Sequence, residues 1–192
     1  NGGGTGGGGG GGGQGGGGEG GGDVGDTFVL DFTDSSFKDD KITPYVTDDD
    51  IADGNVLTFE YEGITFNDQG CFATSYDNNY YLMMKNKYGD KNNPSYTTHY
   101  AFIGNQTAFD KPIKKVEVEV EGTSSSPNTI YRVAIGNSAA EASVTSGGKT
   151  GKKGQTITVE STAKDGYYFS VSTNASGGKI YNGQILSITV SF

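Results

Sequence analysis

From residue 113 to the C-terminus, apolar side chains fall on every second position, run after run. The runs cover 113–121, 130–136, 155–161, 167–173 and 185–192, and stretches rich in Gly, Ser and Asn separate them. A period of two is that of a strand with one face buried and the other in water. The first half repeats the pattern less cleanly, at 27–33, 56–62, 64–66, 71–74, 80–85 and 100–103, with a weaker extended piece over 41–47. No stretch shows the three-to-four spacing of an amphipathic helix. Short strands with turn residues between them predict an all-β fold, an antiparallel β-sandwich. The first run, 27–33, and the last, 185–192, are expected to pair, which leaves both ends of the domain on one side.

A second feature sets the domain boundary. Between Asn1 and Gly22 only Thr5, Gln14 and Glu19 interrupt the glycines. Such a segment buries no apolar side chain and loses the most backbone entropy on ordering. The expectation is a disordered Gly-rich tether, 1–25, ahead of one β-sandwich domain, 26–192. A Gly-rich coil of about 22 residues has a root-mean-square span of ~25 Å and an extended reach of ~75 Å, enough to hold a domain clear of a surface. The start on Asn1 reads as that of a mature, processed chain, with a lipid-bearing cysteine just upstream in its precursor. No run reaches transmembrane length. A membrane is therefore expected as a partner only through an N-terminal lipid anchor.

The net charge of −9 repels phosphate backbones, so nucleic acid is not an expected partner. The clusters Lys111/Lys114/Lys115 and Lys149/Lys152/Lys153 read as solvated turns that keep strand ends soluble. Cys71 is the one cysteine, which excludes an intrachain disulfide and a cysteine zinc cluster. Its apolar flanks mark it as a small buried hydrophobe. The lone histidine, His99, excludes a two-histidine metal site. Nothing in the sequence implies a cofactor.

The order of the later strands carries a family resemblance. Ile113-Lys-Lys-Val-Glu-Val-Glu-Val120 is followed by Tyr131-Arg-Val-Ala-Ile-Gly136, by Tyr167-Tyr-Phe-Ser-Val-Ser-Thr173, and by Gly183-Gln-Ile-Leu-Ser-Ile-Thr-Val190. With Tyr81-Leu-Met-Met-Lys85 upstream, this order resembles the secreted jelly-roll (galactose-binding-like) modules of gut Bacteroidetes surface lipoproteins. The resemblance implies a jelly-roll sandwich, export, lipid anchoring in a Gram-negative bacterium and display at the extracellular or outer-membrane surface. It also implies binding rather than catalysis. The matching positions are core strands, so it transfers no site residue.

Three constellations are candidates for chemistry. The region 76–100 sets Tyr76, Tyr80, Tyr81, Tyr88, Tyr96 and Tyr100 among Asn and Asp residues. A sugar site needs a flat apolar face for the ring and fixed amides for the hydroxyls, and tyrosine offers both a ring and a polar tip. Tyr81, Tyr88, Tyr96, Asn86, Asn92 and Asn93 are the expected ligand-binding residues. A polysaccharide or glycan is the expected partner, and a protein partner, bound by a structural or adhesive surface domain, is the alternative.

The acidic turn 48–55 places Asp49 and Asp53 at the first and fifth positions of a calcium loop. Ile51 at the third cannot ligate, and a strand stands where that loop needs a helix. Asp49 and Asp53 remain the candidate ligands of a structural Ca²⁺ in another geometry. Finally, Glu117-Val-Glu-Val-Glu121 resembles the Glu-x-Asp-x-Glu strand of family-16-type glucanases, whose outer glutamates act as nucleophile and acid/base. Glu119 stands where that family has Asp, and the chain has no Trp to floor a sugar cleft. The simpler reading puts the valines at 116, 118 and 120 inward and the glutamates in water. A glycoside hydrolase is thus a remote alternative.

Overall fold

The computed structural model describes residues 25–40, 42–44, 54–86, 100–121, 129–142, 149–150, 153–161, 166–174 and 182–192. Among them the alternating runs form twelve strands. These are β1 (Thr27–Asp31), β2 (Val56–Tyr61), β3 (Ile64–Gln69), β4 (Cys71–Tyr76), β5 (Asn79–Met84) and β6 (Phe102–Asn105), then β7 (Lys115–Val120), β8 (Ile130–Gly136), β9 (Lys149–Thr150), β10 (Gln155–Glu160), β11 (Tyr168–Asn174) and β12 (Gly183–Ser191). Two single helical turns, α1 (Ser36–Asp39) and α2 (Ala139–Ala142), complete the described elements.

Sheet A runs β10-β7-β12-β5-β4, with β1 also paired to β12, and sheet B runs β2-β3-β6-β11-β8-β9. All strand pairs in both sheets are antiparallel. From β5 onward the partners nest: β5 pairs β12, β6 pairs β11, β7 pairs β10 and β8 pairs β9. Successive pairs lie in alternate sheets. Eight strands nested in this way, in two packed sheets, make a jelly roll. The fold is the all-β antiparallel sandwich that the period-two pattern predicts.

The expected pairing of the first and last strands is present, with Thr27 opposite Ser191 and Asp31 opposite Ser187. Strand β12 is central, however, and is flanked by β7 along its length. Its other edge is shared, first by β5 and then by β1. The register against β7 shifts between Ile185 and Ser187. At that bulge the Leu186 carbonyl turns to accept the Phe32 N–H (2.8 Å), so the irregularity sits where β12 changes neighbours.

Inward side chains from both sheets form one core. Leu30, Phe32, Phe66, Leu82, Met84, Val116, Val118, Val120, Ile188 and Val190 are each 0 % exposed. Phenylalanines knit the layers together: Phe28 lies 5.9 Å from Phe66 and 5.2 Å from Phe109, and Phe109 contacts Phe169 and Phe192. Each fully buried ring or branched side chain contributes ~1.5–3 kcal/mol. Cys71 is buried as expected, and its thiol donates to the Phe102 carbonyl.

Turn chemistry fixes the register of the early strands. Asp77 and Asn78 both have positive φ and join β4 to β5 as a two-residue loop. Gly70 (φ +65°) takes the chain from sheet B to sheet A, where a Cβ would stand 2.5 Å from the Lys85 carbonyl oxygen. Residues 42–44 are not a strand, contrary to the extended piece expected over 41–47. Thr43 instead docks by its side chain: its hydroxyl donates to the Phe37 carbonyl and accepts from the Ala73 N–H on β4. That contact satisfies a donor on an edge strand of sheet A. The four residues of α1 are too few to show a period, and the turn is held by the burial of Phe37 against Phe32 and Tyr61.

Candidate functional site

Strands β4 and β5 build the outer face at one edge of sheet A. Leu82 and Met84 point into the core, so Tyr81 and Met83 point out. On β4 Cys71 and Ala73 face the core, so Phe72, Thr74 and Tyr76 point out. The register sets Phe72 opposite Met83, Thr74 opposite Tyr81 and Tyr76 opposite Asn79. Three aromatic rings thus stand on successive rungs, which are ~7 Å apart along a strand. Phe72, Tyr81 and Met83 are half-buried, and Tyr76 is 77 % exposed.

Polar groups border this face. Gln184 on β12 lies opposite Met83 and so points the same way. Its side chain is buried, and its Oε1 accepts no hydrogen bond. An orphaned buried acceptor costs ~1–3 kcal/mol. Burial, and secondarily the charge of Glu121, pushes the Tyr81 phenol above its ordinary pKa. Tyr81 therefore stays neutral and can donate as well as accept.

Of the residues expected to bind ligand, Tyr81 lies on this face. Asn86 lies just beyond β5 and is buried. Its Oδ1 accepts both the Ala101 N–H (2.7 Å) and the Thr173 hydroxyl (2.8 Å). Two donors occupy the two lone pairs of that oxygen, so Asn86 ties sheet A to sheet B and we assign it to the framework. Tyr88, Tyr96, Asn92 and Asn93 lie outside the described residues, as do Asp49 and Asp53 of the acidic turn. Tyr80 belongs elsewhere: it faces α1, where the Lys38 ammonium sits 5.6 Å from its ring centroid. Phe72, Met83 and Gln184 were missed by sequence reasoning, although strand parity with Cys71, Leu82 and Ile185 marks all of them as outward.

The glutamates of β7 take the outer face of the same sheet, while the valines at 116, 118 and 120 are buried. Glu117 pairs with Lys115 (2.8 Å) and Glu121 with Lys153 (2.7 Å), and Glu119 accepts from the Ser187 hydroxyl. Among the described residues no three His, Cys, Asp or Glu side chains are grouped to hold a metal ion. No described helix is long and apolar enough to cross a membrane.

The class that these features define is a jelly-roll β-sandwich with an aromatic outer face on one sheet. No family model, no curated protein and no solved structure matches the chain. The functional reading therefore rests on the chemistry of the face itself.

Proposed function

We propose that this domain is a non-catalytic binding module for carbohydrate, displayed outside the cell on its Gly-rich tether. One observation carries the reading: Phe72, Tyr81 and Tyr76 line up on one sheet face beside the unpartnered buried acceptor of Gln184. Flat rings at sheet spacing offer stacking platforms to consecutive sugar rings, and Asn79 and the tyrosine hydroxyls offer polar partners to their hydroxyls.

A glycan array probed with the full chain tests the proposal. Binding to a set of related neutral glycans is expected; no binding to any glycan, together with a protein ligand on the same face, would replace it. That second reading, a structural or adhesive surface protein, is favoured by one feature, the projection of Tyr76 at the tip of the β4–β5 hairpin. Tyrosine at an exposed, rigid position is a common anchor of protein interfaces. The glycoside-hydrolase reading has weaker support, since Glu117, Glu119 and Glu121 are each already engaged by a neighbour. Release of reducing sugar that disappears in Glu117→Gln would revive it.

Display at the extracellular or outer-membrane surface through a lipid anchor is part of the same proposal. Its support is the composition of residues 1–22, which suits a spacer and little else. Mass spectrometry of the native protein tests it, and an unacylated chain would remove the anchor from the account.

A further inference from the structure

The outer face of sheet B is built differently. Along one line across its strands, Thr58, Asn67, Gly104, Ser170 and Ala134 stand opposite one another in successive pairs. The middle of that line is low. Gly104 cannot be replaced by a larger residue, because a Cβ there would stand 2.6 Å from the Phe169 carbonyl oxygen and 3.2 Å from the Ser170 Cβ. Packing in the sheet thus removes a side chain from the middle of the face and leaves a depression. Phe102, Val56, and Ala139 and Ala140 of α2 complete its lining. The resulting groove has a volume of about 360 Å³, near the lower end of the ~300–1,000 Å³ typical of small-ligand sites.

Its described lining holds no charged side chain. Ionic ligands such as phosphates or uronates find no counter-charge there. It does hold three amides, Asn67, Asn105 and Gln106, and the Ser170 hydroxyl, next to the Phe102 ring. The wall is rigid at Asn105, whose Nδ2 donates to the Thr107 and Tyr167 carbonyls and whose Oδ1 accepts from the Phe169 N–H. Asn67 is different. Its Oδ1 is buried and accepts no hydrogen bond. The oxygen has no hydrogen bond to lose, so a turn of the Asn67 amide can bring either its donor or its acceptor toward the groove. A hydroxyl is the ligand group that answers to both.

We infer that this groove is a second binding site, distinct from the aromatic face of sheet A, for a single neutral sugar residue or a short neutral oligosaccharide. Phe102 takes the apolar face of the ring, and Asn67, Gln106 and Ser170 take its hydroxyls. The two sites lie on opposite faces of the sandwich, so one domain can bridge two strands of a polysaccharide and gain avidity from the pair.

Titration of the ¹⁵N-labelled full chain with glucose, galactose and their disaccharides, read by amide chemical shifts, tests this inference. Saturable shifts are expected at Asn67, Gly104 and Ser170. Asn67→Ala, which removes no hydrogen bond from its amide oxygen, should fold normally and weaken that binding roughly tenfold, as should Phe102→Ala. The double substitution Tyr76→Ala/Tyr81→Ala should leave the groove shifts in place, which separates this site from the one on sheet A. Absence of shifts with every neutral sugar, or shifts indifferent to both Asn67→Ala and Phe102→Ala, would overturn it. Preferential response to glucuronate or inorganic phosphate would overturn it too.

Discussion

Asp68 offers the sharpest test of the packing. It lies on β3 between Asn67 and Gln69 and is 0 % exposed, on the inward side with Ile64 and Phe66. Neither carboxylate oxygen accepts a hydrogen bond of good geometry. Desolvation pushes its pKa from 3.8 up to about 7, against a smaller opposing pull from the Cys71 N–H. Well below pH 3.8 the carboxyl is protonated in folded and unfolded chains alike and costs the fold nothing extra. As the pH rises towards 7 the unfolded chain releases the proton and the folded chain resists, so stability falls across that window and levels off above it. At ~1.36 kcal/mol per pH unit, the full penalty is about 4 kcal/mol.

Asp68→Asn keeps the shape and removes the titration. The variant should gain on the wild type by up to about 4 kcal/mol between pH 4 and pH 8, whatever constant offset the amide adds. Urea unfolding followed by circular dichroism at pH 4, 6 and 8 reads this directly, since the chain has no Trp to report by fluorescence. With a slope of ~1–3 kcal/mol per molar urea, the relative midpoint should move by on the order of 1–4 M. Other carboxylates contribute equally to both proteins and cancel in the difference. Parallel stability profiles for the two proteins would refute the burial argument.

Asn86→Ala strips the shared acceptor from Ala101 and Thr173 and should cost about 2–4 kcal/mol in chemical denaturation. Tyr131→Phe removes the hydroxyl that accepts from the Gln184 N–H at 2.9 Å; a loss of ~1–3 kcal/mol is expected, seen as a lower thermal midpoint. Gly70→Ala places a Cβ in a left-handed conformation against the Lys85 carbonyl and should cost at least ~2 kcal/mol or reduce soluble yield. Glu117→Gln should leave any glycan affinity within about twofold, as expected of an ion-paired surface carboxylate.

Strand positions were legible because period-two alternation survives wherever one face meets the core. The valines and glutamates of β7 are the clearest instance, and the pairing of β1 with β12 followed from their position in the chain. Strand β3 was cut short at Phe66 because Asn67-Asp68-Gln69 reads as polar loop. Parity with Ile64 and Phe66 would have placed Asp68 inside, but a buried carboxylate without a partner runs against the prior for charged residues. The framework role of Asn86 is hidden for a related reason: its hydrogen bonds to Ala101 and Thr173 join residues far apart in the chain. The nesting of strands that defines the jelly roll depends on pairings as far apart along the chain as Leu82 and Ile185, and no local pattern records these.

The central claim is that sugar rings stack on the outer face of sheet A. Isothermal titration of the best array glycan into the wild type and into Tyr76→Ala/Tyr81→Ala measures it most directly. The account predicts saturable binding that weakens at least roughly tenfold in the double variant, with its folding intact. Equal affinity in both proteins would contradict it.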